Sequence, residues 1–497
     1  MKRILLPLLL SATCSLGLTQ NAPSVKPASW KDAGVRATAP ESRPKGTALR
    51  ACRDLTRPGT YYLLKDVSSE AGCFGIDADG IRLNLDGHTI TYDTGGTPNS
   101  PAIEGHDCWS KNNPPITGPC GPSHGGAEIY NGEIVQAANA SSFSPVFEFG
   151  QGRFSTAPYI HDITATFQNI GAQFYNSVYL PPGAKIENNT IYDNVIRINH
   201  PGQGDLSSRS AFQGQAITIR QNRNNKGAGD LVQENKIVGS PQGGVYSDNQ
   251  HTVVAGNDIS MNSVYTNDFC DAMAADYQSA TANNCHPKSG RGFHTNADYN
   301  IISNNIIRVI ELKNNAEYNG CEIDGSYGIQ VEYDQGLHTA PVGVKVTGNT
   351  ITANAGDCNA IGLRVSGMIP AANAIFTGNT VTTTNSGGAG KDFGISFDES
   401  NQGTTFEGNT FSDKYACADG EWDGFNGTIG KNTWLGSQTY TFVATDGGCD
   451  PSQRGKDAVC PSRVTFTDNL RNKVRCGPFS EATVTVGGKV TVCKAQQ

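Results

Sequence analysis

The chain has 497 residues, 58 of them glycine, with 17% charged residues and a formal net charge of -8. An acidic balance excludes nucleic acid as a partner, because phosphate binding needs a basic footprint to release counterions. The glycines, with 17 tyrosines, 19 phenylalanines and many Asn-Gly and Gly-Asn pairs, describe strands and turns rather than helices.

In chain order, Lys2 and Arg3 precede an apolar stretch from Ile4 to Leu18, with small residues near Gly17 and Ala22. This is the layout of a secretory signal peptide over residues 1–22, and it predicts a secreted protein, extracellular or periplasmic. Cys14 is the mark of an alternative, a lipoprotein, but Ser11-Ala12-Thr13 fits a lipobox badly. No later stretch is long and apolar enough for a membrane span. Residues 23–50, with Pro23, Pro27, Pro40 and Pro44, read as a flexible leader. Export predicts disulfides. Of 14 cysteines, loss of Cys14 leaves thirteen, so one lacks a partner within the chain. Local spacing favours Cys52–Cys73, Cys108–Cys120, Cys270–Cys285 and Cys321–Cys358, and the lack of C-x-x-C pairs argues against zinc.

From there a motif recurs in which an apolar residue is followed by a short spacer, Asn, any residue and an apolar residue. It is centred on Asn131, Asn189, Asn235, Asn257, Asn305, Asn349, Asn379, Asn409 and Asn432, with steps of 46, 22, 48, 44, 30, 30 and 23 from Asn189 onward. The short steps are the length of one solenoid turn, and the long ones are one turn with an inserted loop or two turns. A second motif interleaves with it: Gly, then apolar and outward residues in alternation. It reads Gly244-Val245-Tyr246-Ser247-Asp248, Gly292-Phe293-His294-Thr295-Asn296, Gly328-Ile329-Gln330-Val331-Glu332, Gly362-Leu363-Arg364-Val365-Ser366 and Gly394-Ile395-Ser396-Phe397-Asp398. Period two is the signature of a strand with one buried face, and stacked turns bury what a single turn cannot. Val245, Phe293, Ile329, Leu363 and Ile395 should form one inward column in a solenoid of roughly ten turns.

These motifs resemble those of the right-handed parallel β-helix, pectate lyase-like superfamily, over roughly residues 75 to 475. The resemblance implies an all-β fold, a single-stranded right-handed parallel β-helix, placed here at residues 51–475 with a C-terminal capping hairpin at 476–497. Leu83–Ile90 looks like the entry turn and Val486–Val490 like the closing hairpin. The superfamily includes hydrolases, lyases, epimerases and non-catalytic spikes, so fold alone does not name the reaction. It also implies that the Gly-led strands floor a substrate groove, overhung by the inserted segments 194–214, 261–289 and 311–326.

The outward residues fall into two columns. The first holds Gln173, Thr218, Tyr246, His294, Gln330, Arg364 and Ser396; the second holds Tyr175, Arg220, Asp248, Asn296, Glu332, Ser366 and Asp398. Outward residues of any solenoid are polar because they meet water. What singles out this stripe is the concentration of Tyr246, Asp248, His294, Asn296, Glu332 and Arg364 on four turns. Asp248 and Glu332, two strands apart at about 4.8 Å per strand, suit the two carboxyl groups of an inverting glycoside hydrolase. His294 joins them as a catalytic candidate, and Tyr246, Asn296, Arg364, Gln330 and Arg220 are candidates for binding sugar. The stripe serves other chemistries too. In a polysaccharide lyase, His294 or Tyr246 would act as base or acid, with Arg364 and Asn296 on a uronate; in a non-catalytic β-helix protein, the same face would only bind glycan. The acidic balance favours the hydrolase. No cofactor is required, although Asp248 and Glu332 are also of the type that binds Ca2+. A hidden extra turn between Asn257 and Asn305 would separate His294 from Asp248; the lack of period two over 261–289 favours a loop.

Overall fold

The computed structural model describes residues 45–97, 100–105, 126–140, 144–150, 157–169, 174–180, 183–197, 215–221, 229–239, 243–263, 290–311, 325–332, 341–355, 359–366, 373–385, 392–397, 402–412, 416–421, 426–435, 440–443, 462–466, 474–476, 482–486 and 489–493. Gly46–Gln497 form one compact unit. Every described element in it is a β-strand, and the chain is a right-handed parallel β-helix. Thirteen short strands, from Phe74–Ile76 to Val474–Cys476, stack in strict chain order as one sheet, against roughly ten turns expected. The remaining strands form a 26-stranded sheet, also parallel apart from the hairpin of Ala482–Val486 with Lys489–Cys493.

The recurring asparagines set the repeat. From Asn189 to Asn432, each ladder side chain donates from Nδ2 to Oδ1 of the asparagine one coil on, at 2.9–3.0 Å. The same Oδ1 also accepts the backbone N–H of the preceding ladder residue. The second Nδ2 hydrogen goes to a backbone carbonyl, such as Val232 for Asn257 and Val254 for Asn305. These buried amides are therefore satisfied by one another, as buried polar groups must be. Each step is one coil, including the 48-residue step from Asn257 to Asn305, so no extra turn lies between them. The residue before each ladder asparagine has positive φ: Asn188, Glu234, Gly256, Asn304, Gly348, Gly378, Gly408 and Lys431. A left-handed residue there makes the corner, and glycine fills it in half the cases because it lacks a Cβ. Asn131 stands outside the ladder; it takes a φ of 62° itself and donates to Asn84 Oδ1.

The inward column stands as expected: Val245, Phe293, Ile329, Leu363 and Ile395 lie opposite one another in register and are fully buried. The glycine before each of the first four is sterically required. A Cβ on Gly292 would lie 2.2 Å from Ile307 Cγ2, and one on Gly328 2.2 Å from Ile351 Cγ2. In earlier coils Ala102, Val146, Phe174 and Ala216 occupy this slot, as the register of their neighbours shows. This corrects one expectation. Tyr175 pairs with Ile217 and is buried in the core, so it does not face outward; Asn176 is the residue opposite Thr218. This coil carries Phe174 where later coils carry the glycine, so the alternation has no marker there.

Two boundaries differ in detail. The first described strand, Thr47–Leu49, lies inside the stretch expected as leader, yet it pairs with Gly59–Leu63 as part of the solenoid. Leu83–Ile90 is therefore an internal turn and not the entry: Ile81–Asn84 pairs back onto Gly59–Leu63. The Cys52–Cys73 disulfide is formed. Cys108, Cys120, Cys270, Cys285, Cys321 and Cys358 lie outside the described residues, as do Gln173, Asp398 and residues 1–44. Among the described residues no helix is long and apolar enough to cross a membrane.

Candidate functional site

Three successive strands of the short-strand sheet build the site: Gly243–Ser247, Arg291–Thr295 and Gly325–Glu332. Thr218, Tyr246, His294, Gln330, Arg364 and Ser396 lie opposite one another in adjacent coils, in the order read from the sequence. Glu332 follows Gln330 by two and faces the same way, opposite Ser366. Asp248 and Asn296 sit just past the ends of their strands, both half-buried. Asp248 donates its backbone N–H to Ile219 O, which ties it to the sheet. Asn296 Oδ1 is buried with no hydrogen-bond partner among the described residues. The backbone of Arg220 lies opposite Val178, and its side chain is outside what is described.

The contacts converge on one oxygen. Glu332 Oε2 lies 2.8 Å from His294 Nε2, 3.4 Å from Arg291 Nη1 and 3.2 Å from Gln330 Nε2. The His294 contact is close but off the N–H axis, so it is an electrostatic contact rather than an aligned hydrogen bond. Arg291 Nη1 also lies 3.1 Å from His294 Nδ1. Tyr246 leans over the imidazole, with ring centroids 5.0 Å apart at 49°. On the next coil Arg364 donates to Tyr327 Oη at 2.5 Å, its guanidinium carbon 4.8 Å from that ring's centre.

The electrostatics follow from burial and charge. Burial works to raise the Glu332 carboxyl, but His294 and the charges of Arg291 and Arg364 outweigh it and bring it down to about 2. Burial pushes the His294 imidazolium down, and Arg291 adds to this; the contact with Glu332 opposes them without prevailing. His294 is therefore neutral near pH 7, and its charge attracts Glu332 only in acid. At neutral pH the two guanidinium groups hold the carboxylate ionised. Among the described residues no group of three or more His, Cys, Asp or Glu is arranged to hold a metal.

Sequence reasoning missed Arg291 and Tyr327. Each immediately precedes the glycine of its strand, in a third outward column that runs Gln215, Gly243, Arg291, Tyr327, Ile361, Phe393. The missed signal was the bend at that glycine. Gly292 and Phe293 both face the core, so the alternation restarts and Arg291 points out again. Tyr327, Ile361 and Phe393 pack as a small apolar cluster of their own.

No family model matches the chain, and no curated protein matches it. Among solved structures, the A-module of a mannuronan C-5 epimerase from Azotobacter vinelandii is similar at 9% identity and a TM-score of 0.40, over 88% of this chain and 91% of that one. The surface adhesin PfbA of Streptococcus pneumoniae is similar at 10% identity and a TM-score of 0.42, over 77% of this chain and 85% of that one. Both likenesses are distant, and the chemistry rests on the residues of this chain.

Proposed function

We propose that the protein is a secreted enzyme that cleaves a polysaccharide lying across the short-strand sheet, acting as an inverting glycoside hydrolase. The observation that carries this is the fixation of Glu332: Arg291 and Gln330 donate to one oxygen that also lies against the His294 ring, and the charge is kept at all ordinary pH values. A permanently ionised carboxylate cannot be the general acid. It suits the other role, orienting water and stabilising positive charge that develops at the sugar. Asp248, two strands away, is then the acid. Backbones two strands apart are separated by about 9 to 10 Å, which leaves room for the 6.5–9.5 Å carboxyl spacing of inverting enzymes. Tyr246 offers a ring to a sugar face, and Asn296, Gln330, Arg364 and Arg220 offer polar contacts along the stripe.

A second reading is favoured by one observation, the neutral His294 under Tyr246 beside two guanidinium groups. This arrangement suits β-elimination on a uronate, with Arg364 on the sugar carboxylate and Tyr246 handling the proton. Neutral and acidic glycans, assayed in parallel for reducing ends and for the absorbance of unsaturated uronates, separate the two. Under the hydrolase reading reducing ends appear without that absorbance, and Asp248→Asn and Glu332→Gln each lower turnover at least about 100-fold without unfolding the protein. Under elimination the absorbance appears and His294→Ala or Arg364→Ala abolishes it. Wild-type activity in all four variants would place the site on another face.

A further inference from the structure

We propose that Arg291 is a positioning residue that fixes the tautomer of His294: its guanidinium occupies the Nδ1 side of the ring, so the imidazole proton sits on Nε2, facing Glu332. The argument is one of donors and acceptors. A guanidinium has only N–H groups to offer and cannot accept. With Nη1 3.1 Å from Nδ1, that nitrogen must present its lone pair, and the single proton of the neutral ring goes to Nε2. Nε2 is the atom 2.8 Å from Glu332 Oε2. The opposite tautomer would set an N–H against Arg291 and a lone pair against the carboxylate, repulsive on both sides.

Arg291 also reaches Glu332 Oε2 itself, at 3.4 Å, so one side chain ties ring and carboxylate into a closed triangle. Every strand of the site faces this ring with a charged or titratable group. Tyr246 comes from the preceding coil, Arg291 from its own strand, Glu332 from the following coil and Arg364 from the one after. The two arginines disfavour a charged ring and Glu332 favours one, so the tautomer lock holds while the ring is neutral and is released when it is protonated in acid. Its consequence for turnover rests on the proposed function; the tautomer itself does not.

The test is long-range proton–nitrogen NMR on the full chain labelled at histidine, one of only nine, with His294 assigned by the signal lost in His294→Gln. Near pH 7 the wild type should show a neutral ring protonated on Nε2. Arg291→Lys, also donor-only and cationic, should keep that signature. Arg291→Met should lose it, with a mixed tautomer and a titration midpoint moved upward, and its turnover should fall further than that of Arg291→Lys. A wild-type ring protonated on Nδ1, or charged at pH 7, overturns the proposal, as does an unchanged signature in Arg291→Met. Should Arg291→Met fail to fold, the wild-type spectrum decides alone. Finding the Nε2 tautomer in a protein that cleaves no glycan would sink the hydrolase reading and leave this one standing.

Discussion

Replacing Asn305 by alanine tests the ladder at its centre. In the native chain Asn305 Oδ1 accepts from the backbone N–H and the Nδ2 of Asn257, both at 2.9 Å, and its own Nδ2 donates to Val254 O and to Asn349 Oδ1. Truncation leaves one buried backbone group without a partner, the Asn257 N–H, and takes one donor from the Val254 carbonyl, which stays in the parallel ladder with Ile301–Ser303. Asn257 Nδ2 keeps its contacts with Val232 and Ala255, and Asn349 Oδ1 keeps the N–H of residue 305. A buried orphan costs about 1–3 kcal/mol, and a loss of that size is expected. Denaturant titration reads the total, and amide hydrogen exchange at Asn257 reads it locally, where protection should drop by the same free energy. The last ladder member, Asn432, is only partly buried, so Asn432→Ala should cost less. A loss under about 1 kcal/mol in Asn305→Ala, with the Asn257 amide as protected as before, would show that the ladder reports the fold without supporting it.

Phe293→Ala, which empties a fully buried position in the inward column, should cost about 3–5 kcal/mol by the same titration; a cost typical of a surface site would mean the register is wrong. Glu234 holds a φ of 55° where other coils use glycine. Relief of that strain, less the flexibility glycine adds, should make Glu234→Gly more stable by about 0.5–1 kcal/mol, visible as a raised unfolding midpoint. Glu332 also predicts a pH dependence. Its folded value, about 2, lies below its ordinary value of 4.5, so its contribution to stability is complete above 4.5 and disappears as pH falls toward 2. Glu332→Gln should flatten the acid limb of the stability curve in that window, and an unaltered limb would show that the carboxylate is not held as its contacts imply.

The architecture was legible because two of its devices are written in side chains that little else can replace. The ladder needs an amide that both donates and accepts, so asparagine recurs, and the close approach of the two walls leaves room only for glycine at Gly244, Gly292, Gly328 and Gly362. Where the slot holds Phe174 instead, the pattern loses its marker, and Tyr175 was read as facing outward. The candidate site was legible in part for the same reason. Tyr246, His294, Gln330 and Arg364 follow the glycine at a fixed distance, whereas Arg291 and Tyr327 precede it, across a bend that period two does not anticipate. That Glu332 belongs with His294 could be seen from strand counting; that Arg291 and Gln330 share one of its oxygens could not, because it depends on rotamers of residues on two strands.

The ladder also separates the length of a coil from its geometry. Between consecutive asparagines the chain runs for as few as 22 residues and as many as 48, yet the amide contact stays at 2.9–3.0 Å throughout. The frame therefore takes insertions of very different size without adjustment, and the segments between ladder positions behave as exchangeable modules on a common chassis. A lineage of such proteins can alter what it grips by rewriting those segments while its core sequence stands still, and a designer can do the same by grafting foreign peptide between two ladder asparagines.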